Sequence, residues 1–270
     1  MPNLPPGFTF SQSSLQDYAD CPRRFQLRYL EHLNWPAVDS EPVLENERRQ
    51  AEGQLFHRLV QQVLLGVPSQ VLSPMAHPPN LERWWNNFEK EFAALQGLRP
   101  EFALSAPIGN HRLEAKYDAV AIRDNRALIY DWKTYAKRPR DEWMAARWQT
   151  RIYRALLVQA GGHLNNGRPF KPEQLEMIYW YADFPSQPAR FPYDAAQFKR
   201  DWSAIEKVVD EISAAQAFPL TEDEKMCRFC VYRSYCERGS QAGQGEQAEG
   251  DSESDPAFDV NFEQISEIEF

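Results

Sequence analysis

The stretch His111–Lys133, HRLEAKYDAVAIRDNRALIYDWK, decides how this chain is read. Asp124-Asn125 is a two-residue turn of the kind that closes a β-hairpin, and the runs His111 to Ile122 and Arg126 to Lys133 have strand composition. With that turn, paired positions sum to 249, which sets Asp118 directly opposite Asp131. Opposed side chains in an antiparallel pair have Cβ atoms roughly 4.5–5.5 Å apart, where like charges repel. Ala119, Val120, Leu128 and Ile129 flank the two carboxylates and mark central strands rather than a solvated edge. The pair therefore calls for a cation, and Mg²⁺ suits it: a hard ion held by one or two carboxylates, its other positions left to water or phosphate. Lys133, two residues beyond Asp131, projects from the same face, where an ammonium lowers the pKa of a metal-bound water or stabilises charge on a phosphoryl group.

Outward from the hairpin the hydrophobic period changes from two to that of helices. Upstream, a helix is expected from about Ser13, a second from Pro22 through Arg23-Arg24-Phe25 to Leu30, a third over 47–65 and a fourth over 81–96. Downstream, the pattern predicts a helix of about 20 residues from Asp141, a strand over Leu175–Tyr181 and a helix from Asp194 to Gln216. This order gives an α/β or α+β domain with a mixed sheet flanked by helices.

The motifs in their order resemble the PD-(D/E)xK nuclease superfamily, in particular its RecB-like branch. Lys116-Tyr117-Asp118 and Ile129-Tyr130-Asp131-Trp132-Lys133-Thr134 match its core. Gly53-x-x-x-His57 lies on the helix before the sheet, and Gln149-x-x-x-Tyr153 on the helix after the Asp-x-Lys strand. The resemblance spans residues from about 10 to 237 and departs at two points: Gln61 stands where many relatives carry glutamate, and Ala115 where glycine is common. It implies a restriction-endonuclease-like core in which His57, Asp118, Asp131 and the backbone carbonyl of Trp132 hold Mg²⁺ or Mn²⁺. Lys133 then assists phosphodiester hydrolysis, and Gln149 and Tyr153 line the site.

Four cysteines remain: Cys21, Cys227, Cys230 and Cys236. Cys227-x-x-Cys230 is a chelating spacing, and four thiolates suit either tetrahedral Zn²⁺ or a [4Fe–4S] cluster. One early cysteine before Pro-Arg-Arg-Phe with three late ones resembles the CRISPR-associated four-cysteine exonucleases and the nuclease domains of AddB-type repair proteins. That resemblance implies iron–sulfur, as a clamp that ties the first helix to the end of the body.

The chain of 270 residues carries a net charge of -9, which taken whole argues against nucleic acid. Glu237 to Phe270, however, hold ten acidic residues and a single basic one, Arg238, leaving 29 of each sign in the body. Within the body, Lys133 to Arg154 carry a local net charge of +5. Lys137, Arg138, Arg140, Arg147, Arg151 and Arg154 are accordingly expected to hold a phosphodiester backbone, with Arg147, Arg151 and Arg154 as one helical stripe. Trp132, Trp143 and Trp148 are candidates to stack on bases.

The domain assignment is 1–237 for the nuclease domain with its cysteine clamp and 238–270 for a disordered acidic tail. Phe258, Phe262 and Ile265 give that tail a short apolar motif, and Phe258–Phe270 is expected either to dock on a basic, apolar groove of a partner protein, to fold back on the cationic channel, or only to solubilise. Mean hydropathy of -0.64 and the lack of a signal-peptide pattern at MPNLPPGFTF point to a cytoplasmic protein with no membrane contact. No GxxxxGK[ST] loop occurs, so any helicase motor belongs to a separate chain, and no Gly-x-Ser-x-Gly elbow occurs either. The expectation is thus a metal-dependent deoxyribonuclease, an exonuclease on single strands or DNA ends in repair, recombination or defence. The alternative is a non-catalytic DNA-binding or adaptor module that keeps the fold and cluster.

Overall fold

The computed structural model describes residues 4–34, 41–92, 97–228 and 230–239. The acidic tail expected over 238–270 therefore lies outside the described residues but for Arg238 and Gly239. In chain order the elements are β1 (Thr9–Phe10), α1 (Gln12–Asp20), α2 (Pro22–Phe25), continued by a π-helical turn over Gln26–Leu30, α3 (Glu41–Leu64), α4 (Ser69–Leu72), α5 (Pro79–Phe92), β2 (Leu98–Ile108), β3 (His111–Arg123), β4 (Arg126–Lys133), α6 (Asp141–Ala146), α7 (Trp148–Ala160), β5 (Leu175–Tyr181), β6 (Ala189–Pro192) and α8 (Ala195–Ala214).

The β3–β4 hairpin forms as its turn demands. Asp124 and Asn125 have φ of 49° and 59°, the left-handed pair that matches the twist of the flanking strands. The expected register holds from Arg123↔Arg126 through Ala119↔Tyr130. The sheet is mixed, in the order β1-β3-β4-β5-β6, with β2 antiparallel to β3. β4 and β5 run parallel, which sets Asp131 beside Tyr179 and Lys133 beside Tyr181.

Helices cover both faces. On one, Ile152 and Leu156 of α7 and Ile205 and Val209 of α8 pack with Ala127 and Ile129 of β4. On the other, Phe56 and Leu59 of α3 and Trp84, Trp85 and Phe88 of α5 pack with Trp132 and Trp180. The architecture is α/β, helices around a mixed sheet, as the pattern predicts. Among the described residues no helix is long and apolar enough to cross a membrane.

Three features depart from the sequence reading. Strands β1, β2 and β6 are additional to the sequence reading; β1 has two residues and β6 four, too short for a periodic signal although β6 alternates in burial. The helix foreseen from Asp141 is two helices, because Arg147 is extended (φ -62°, ψ 144°) and serves as the N-cap residue of α7. The hairpin's alternation also slips at Asp118. Leu113, Ala115 and Tyr117 belong to the core under α7, whereas Ala119 and Ala121 belong to the core under α3 and α5. Across from the slip, Glu101 has φ of 51°, while pairing on both sides of it stays in register. The sheet thus swaps faces at the position of one of the two carboxylates.

Candidate active site

The end of β4 supplies Asp131 and Lys133 on one face, as alternation requires. Lys133 Nζ lies 2.9 Å from Asp131 Oδ1 and donates to Gln149 Oε1 at 3.0 Å. Gln149 Nε2 in turn donates to Asp131 Oδ2 at 2.6 Å, so the three side chains close a ring of charge-assisted bonds. Gln149 sits in the first turn of α7, placed there by the break at Arg147. Tyr179 of β5 donates to the same Oε1 at 3.4 Å and meets the Thr150 hydroxyl at 2.8 Å. Aromatic faces surround the ammonium: Lys133 Nζ lies 5.7 Å from the ring centre of Tyr135 and 5.4 Å from that of Tyr179.

Asp118, from the neighbouring strand, faces a different partner. Its Oδ2 accepts the Trp132 N–H at 2.8 Å and lies 3.3 Å from His57 Nδ1. The sequence reading asked for a bound cation to reconcile two facing carboxylates. Here the chain supplies its own counter-charges, Lys133 for Asp131 and His57 for Asp118. Gly53 explains how α3 comes close enough: a Cβ at that position would sit 2.8 Å from Thr134 Oγ1, inside contact distance. One helical turn on, His57 meets the sheet.

Burial disfavours a charged His57, but the Asp118 carboxylate beside it, and then Asp131, outweigh that and hold the imidazole above its ordinary range. For Asp118, burial raises the carboxyl, but the His57 charge, the hydrogen bonds from His57 and Trp132, and Lys133 together hold it below the usual carboxylate range. Asp118 is thus held in its ionised form even though it is buried.

Tyr153 packs beside this centre and its hydroxyl donates to Lys116 O at 2.6 Å, while Tyr117 donates to Tyr153 O at 2.9 Å. Its observed bond is to the backbone of the strand that carries Asp118. The expected basic stripe does not form as one surface. Arg154 is buried, donates to Thr150 O and Pro192 O, and lies 3.5 Å from Asp201 of α8. Arg151 lies 3.9 Å from Asp201, with its guanidinium over Trp148. Both face Asp201 of α8, placing them at the α7–α8 contact. Arg147 stacks on Trp143, and Arg138 lies over Tyr181 and pairs with Asp141 at 2.6 Å. Lys137 and Arg140 are exposed. Trp132 and Trp148 are buried, which removes them as stacking surfaces, and Trp143 is half-buried.

The cysteines lie at the junction of α1 and α2 and after α8. Arg23 N–H donates to Pro219 O at 3.0 Å, tying the two segments together. None of the four is in a disulfide. Burial pushes the Cys227 thiol up to about 11, and Cys230, Cys21 and Cys236 act in the same direction, so the four lie within one another's field. Among the described residues, however, no group of three or more His, Cys, Asp or Glu is gathered as a metal site, here or at the carboxylates.

By donor type, two carboxylates and an imidazole suit a hard divalent ion, although only His57 and Asp118 stand within 3.3 Å of each other. Asp131 has both oxygens engaged, by Lys133 and Gln149, and would share one to complete the set. Two contributors escaped the sequence reading. Tyr179 donates to Gln149 and is itself met by the Thr150 hydroxyl, and only the parallel pairing of β5 with β4 reveals Tyr179.

No curated protein matches the chain. A structure of the protein SSO0001 aligns over 87% of this chain and 88% of its own at 16% identity, with a TM-score of 0.41. A candidate exonuclease from Eubacterium rectale aligns over 87% and 89% at 9% identity, with a TM-score of 0.50, a likeness of fold. The family model of the PD-(D/E)XK nuclease superfamily matches residues 9–237. Nearly the whole body, with the motif carboxylates and lysine assembled at one end of its sheet, falls within that match, and the chain belongs to the PD-(D/E)XK nuclease superfamily.

Proposed function

We propose that this nuclease is a metal-dependent deoxyribonuclease, acting as an exonuclease on single strands or DNA ends in repair, recombination or defence. The observation that carries the reading is the joining of Asp131, Lys133 and Gln149 by bonds of 2.6–3.0 Å next to the His57–Asp118 pair. His57, Asp118, Asp131 and the Trp132 carbonyl would hold Mg²⁺ or Mn²⁺, which when bound supplies a water of lowered pKa and a Lewis acid for the phosphate. The chain's own part is orientation and charge. Gln149 holds the Lys133 ammonium at the edge of the carboxylates, where it stabilises negative charge that builds on a phosphoryl oxygen. The Trp132 N–H and His57 keep the Asp118 oxygens aligned and ionised. The exposed Lys137 and Arg140, together with Arg147, are the cations placed for a DNA backbone, and Arg151 and Arg154 are not among them.

The four cysteines are proposed to hold a [4Fe–4S] cluster as a structural clamp, with Zn²⁺ as the alternative. The bond between their two segments, Arg23 N–H to Pro219 O, supports the reading. Iron analysis and an absorbance band near roughly 400 nm on anaerobically purified protein separate the two. The tail Phe258–Phe270 remains a proposed docking segment for a partner protein, tested by truncation after Arg238 and pull-down.

The deciding experiment is cleavage of end-labelled single- and double-stranded DNA with Mn²⁺. The reading requires cleavage by the parent and none by Asp131→Ala or Lys133→Ala. A parent protein that leaves every substrate uncut, yet shifts DNA in a gel as well as Asp131→Ala does, would falsify it and favour a binding module.

A further inference from the structure

Helix α3 carries His57, yet nothing in a helix fixes how far it slides along the sheet it covers. Three side chains on successive turns face the end of β4. Arg49 Nε donates to Thr134 O at 2.8 Å, Gly53 admits the Thr134 side chain, and His57 meets Asp118 at 3.3 Å. They stand at i, i+4 and i+8, one line down the helix. Arg49 makes a second bond, from Nη2 to Asp183 Oδ2 at 2.6 Å. Asp183 is itself well placed, because its neighbour Ala182 donates its N–H to Lys133 O at 2.8 Å and accepts from Asn87 of α5 at 2.9 Å. The other oxygen, Oδ1, accepts from Arg83 Nε of α5 at 2.8 Å, with Arg83 Nη2 2.7 Å away. Asp183 is largely enclosed, its side chain 12% exposed. The Arg49 guanidinium also lies 5.1 Å from the ring centre of Trp84.

We infer that Asp183 and Arg49 are positioning residues for His57: the carboxylate, pinned to the catalytic strand through Ala182, clamps the arginines of α3 and α5 and so sets the helix at the height where the imidazole meets Asp118. The inference rests on the proposed metal role of His57. A planar guanidinium is required because two donors must reach two acceptors, Thr134 O and Asp183, at fixed angles, which an ammonium on a flexible stem does not do. Loss of the clamp lets α3 shift, and a ligand that has lost its orienting partner binds metal about 10-fold more weakly or worse.

The test measures Mn²⁺ affinity by titration calorimetry on the full chain, and cleavage as a function of Mn²⁺ concentration. Asp183→Asn and Arg49→Lys are expected to weaken Mn²⁺ binding about tenfold. Their activity falls at limiting Mn²⁺ and returns toward the parent value at saturating Mn²⁺, with KM for DNA unchanged. Arg190→Lys, in the exposed pair with Glu176 across β5 and β6, keeps the parent Mn²⁺ curve. If Asp183→Asn fails to fold by circular dichroism, Arg49→Lys decides alone, since it keeps the charge on Asp183. Mn²⁺ curves for the folded variants that superimpose on the parent's overturn the inference and leave the proposed function standing. A parent that binds no Mn²⁺ overturns both.

Discussion

The carboxylate centre and the cysteine clamp are built on opposite principles. At the centre every charge has a counterpart from the chain: Asp131 has Lys133 and Gln149, and Asp118 has His57 and the Trp132 N–H. At the clamp, burial raises the thiols of Cys227, Cys230 and Cys236, and the thiols raise one another, with Arg24 acting against this at Cys230 and Arg238 at Cys227 and Cys236. The first arrangement is organised by the fold itself. At the second the protein disfavours the charged forms of the thiols, and only the proposed ligand would reverse that. The difference teaches how the two should fail: loss at the centre removes chemistry along with a buried partner, whereas loss at the cysteines, on the proposed clamp, removes stability and leaves chemistry intact.

The sharpest way to break that contrast is at the centre. Asp131→Ala and Lys133→Ala are expected to lower kcat/KM of the folded protein about 10³-fold, within the range for removing a charged group from a reacting centre. Each also leaves a buried partner without its counter-charge and should cost about 3 kcal/mol of stability, so activity is read on the fraction still folded, and cleavage by that fraction at the parent's rate would show that the centre is structural. At the clamp, Cys230→Ser is expected to cost about 3 kcal/mol of stability, the scale of a lost cross-link. Cleavage by its folded fraction at low temperature should stay within about threefold of the parent, because no cysteine touches the centre.

Arg154→Ala sharpens the comparison within one helix. It leaves Asp201 partly buried with only Arg151, at 3.9 Å, and Tyr193 beside it, and should destabilise by about 2–3 kcal/mol, read from urea unfolding. The same substitution should not weaken DNA binding by the folded protein. Lys137→Ala, exposed, should do the reverse, with stability unchanged and a small loss of DNA affinity that vanishes at high salt. Gly53→Ala gives a structural effect of about 1–3 kcal/mol, because the new Cβ would stand 2.8 Å from Thr134 Oγ1 and one of the two must move. Its Mn²⁺ requirement should rise, since His57 is carried on the same helix one turn away.

Much of this was legible in the residues because it rests on local rules. Asp124-Asn125 fixes a hairpin turn, and once the turn is fixed, simple pairing gives the register observed from Arg123↔Arg126 to Ala119↔Tyr130, one step short of the expected Asp118–Asp131 pair. The placement of Lys133 beside Asp131 follows from the two-residue period of a strand. What failed was anything that depends on which neighbour covers a face. Arg147, Arg151 and Arg154 share a helical spacing, but whether such a stripe meets DNA or an aspartate of another helix is decided by the packing of α8. The slip at Asp118, the short pairings of β1 and β6, and Tyr179 behind Gln149 also have no local signature, because each is made by strands far apart in sequence.

By itself, then, the sequence determined the hairpin, its register, the two carboxylates with their lysine, and the segregation of negative charge into the tail. Backbone geometry and charge alone are enough to read these. Only the tertiary structure decided that His57 answers Asp118, that Gln149 closes a ring with Asp131 and Lys133, and that Arg154 is internal. Those outcomes depend on the height and rotation of α3 and α7 on the sheet, which are set by packing and by contacts such as Arg49 with Asp183.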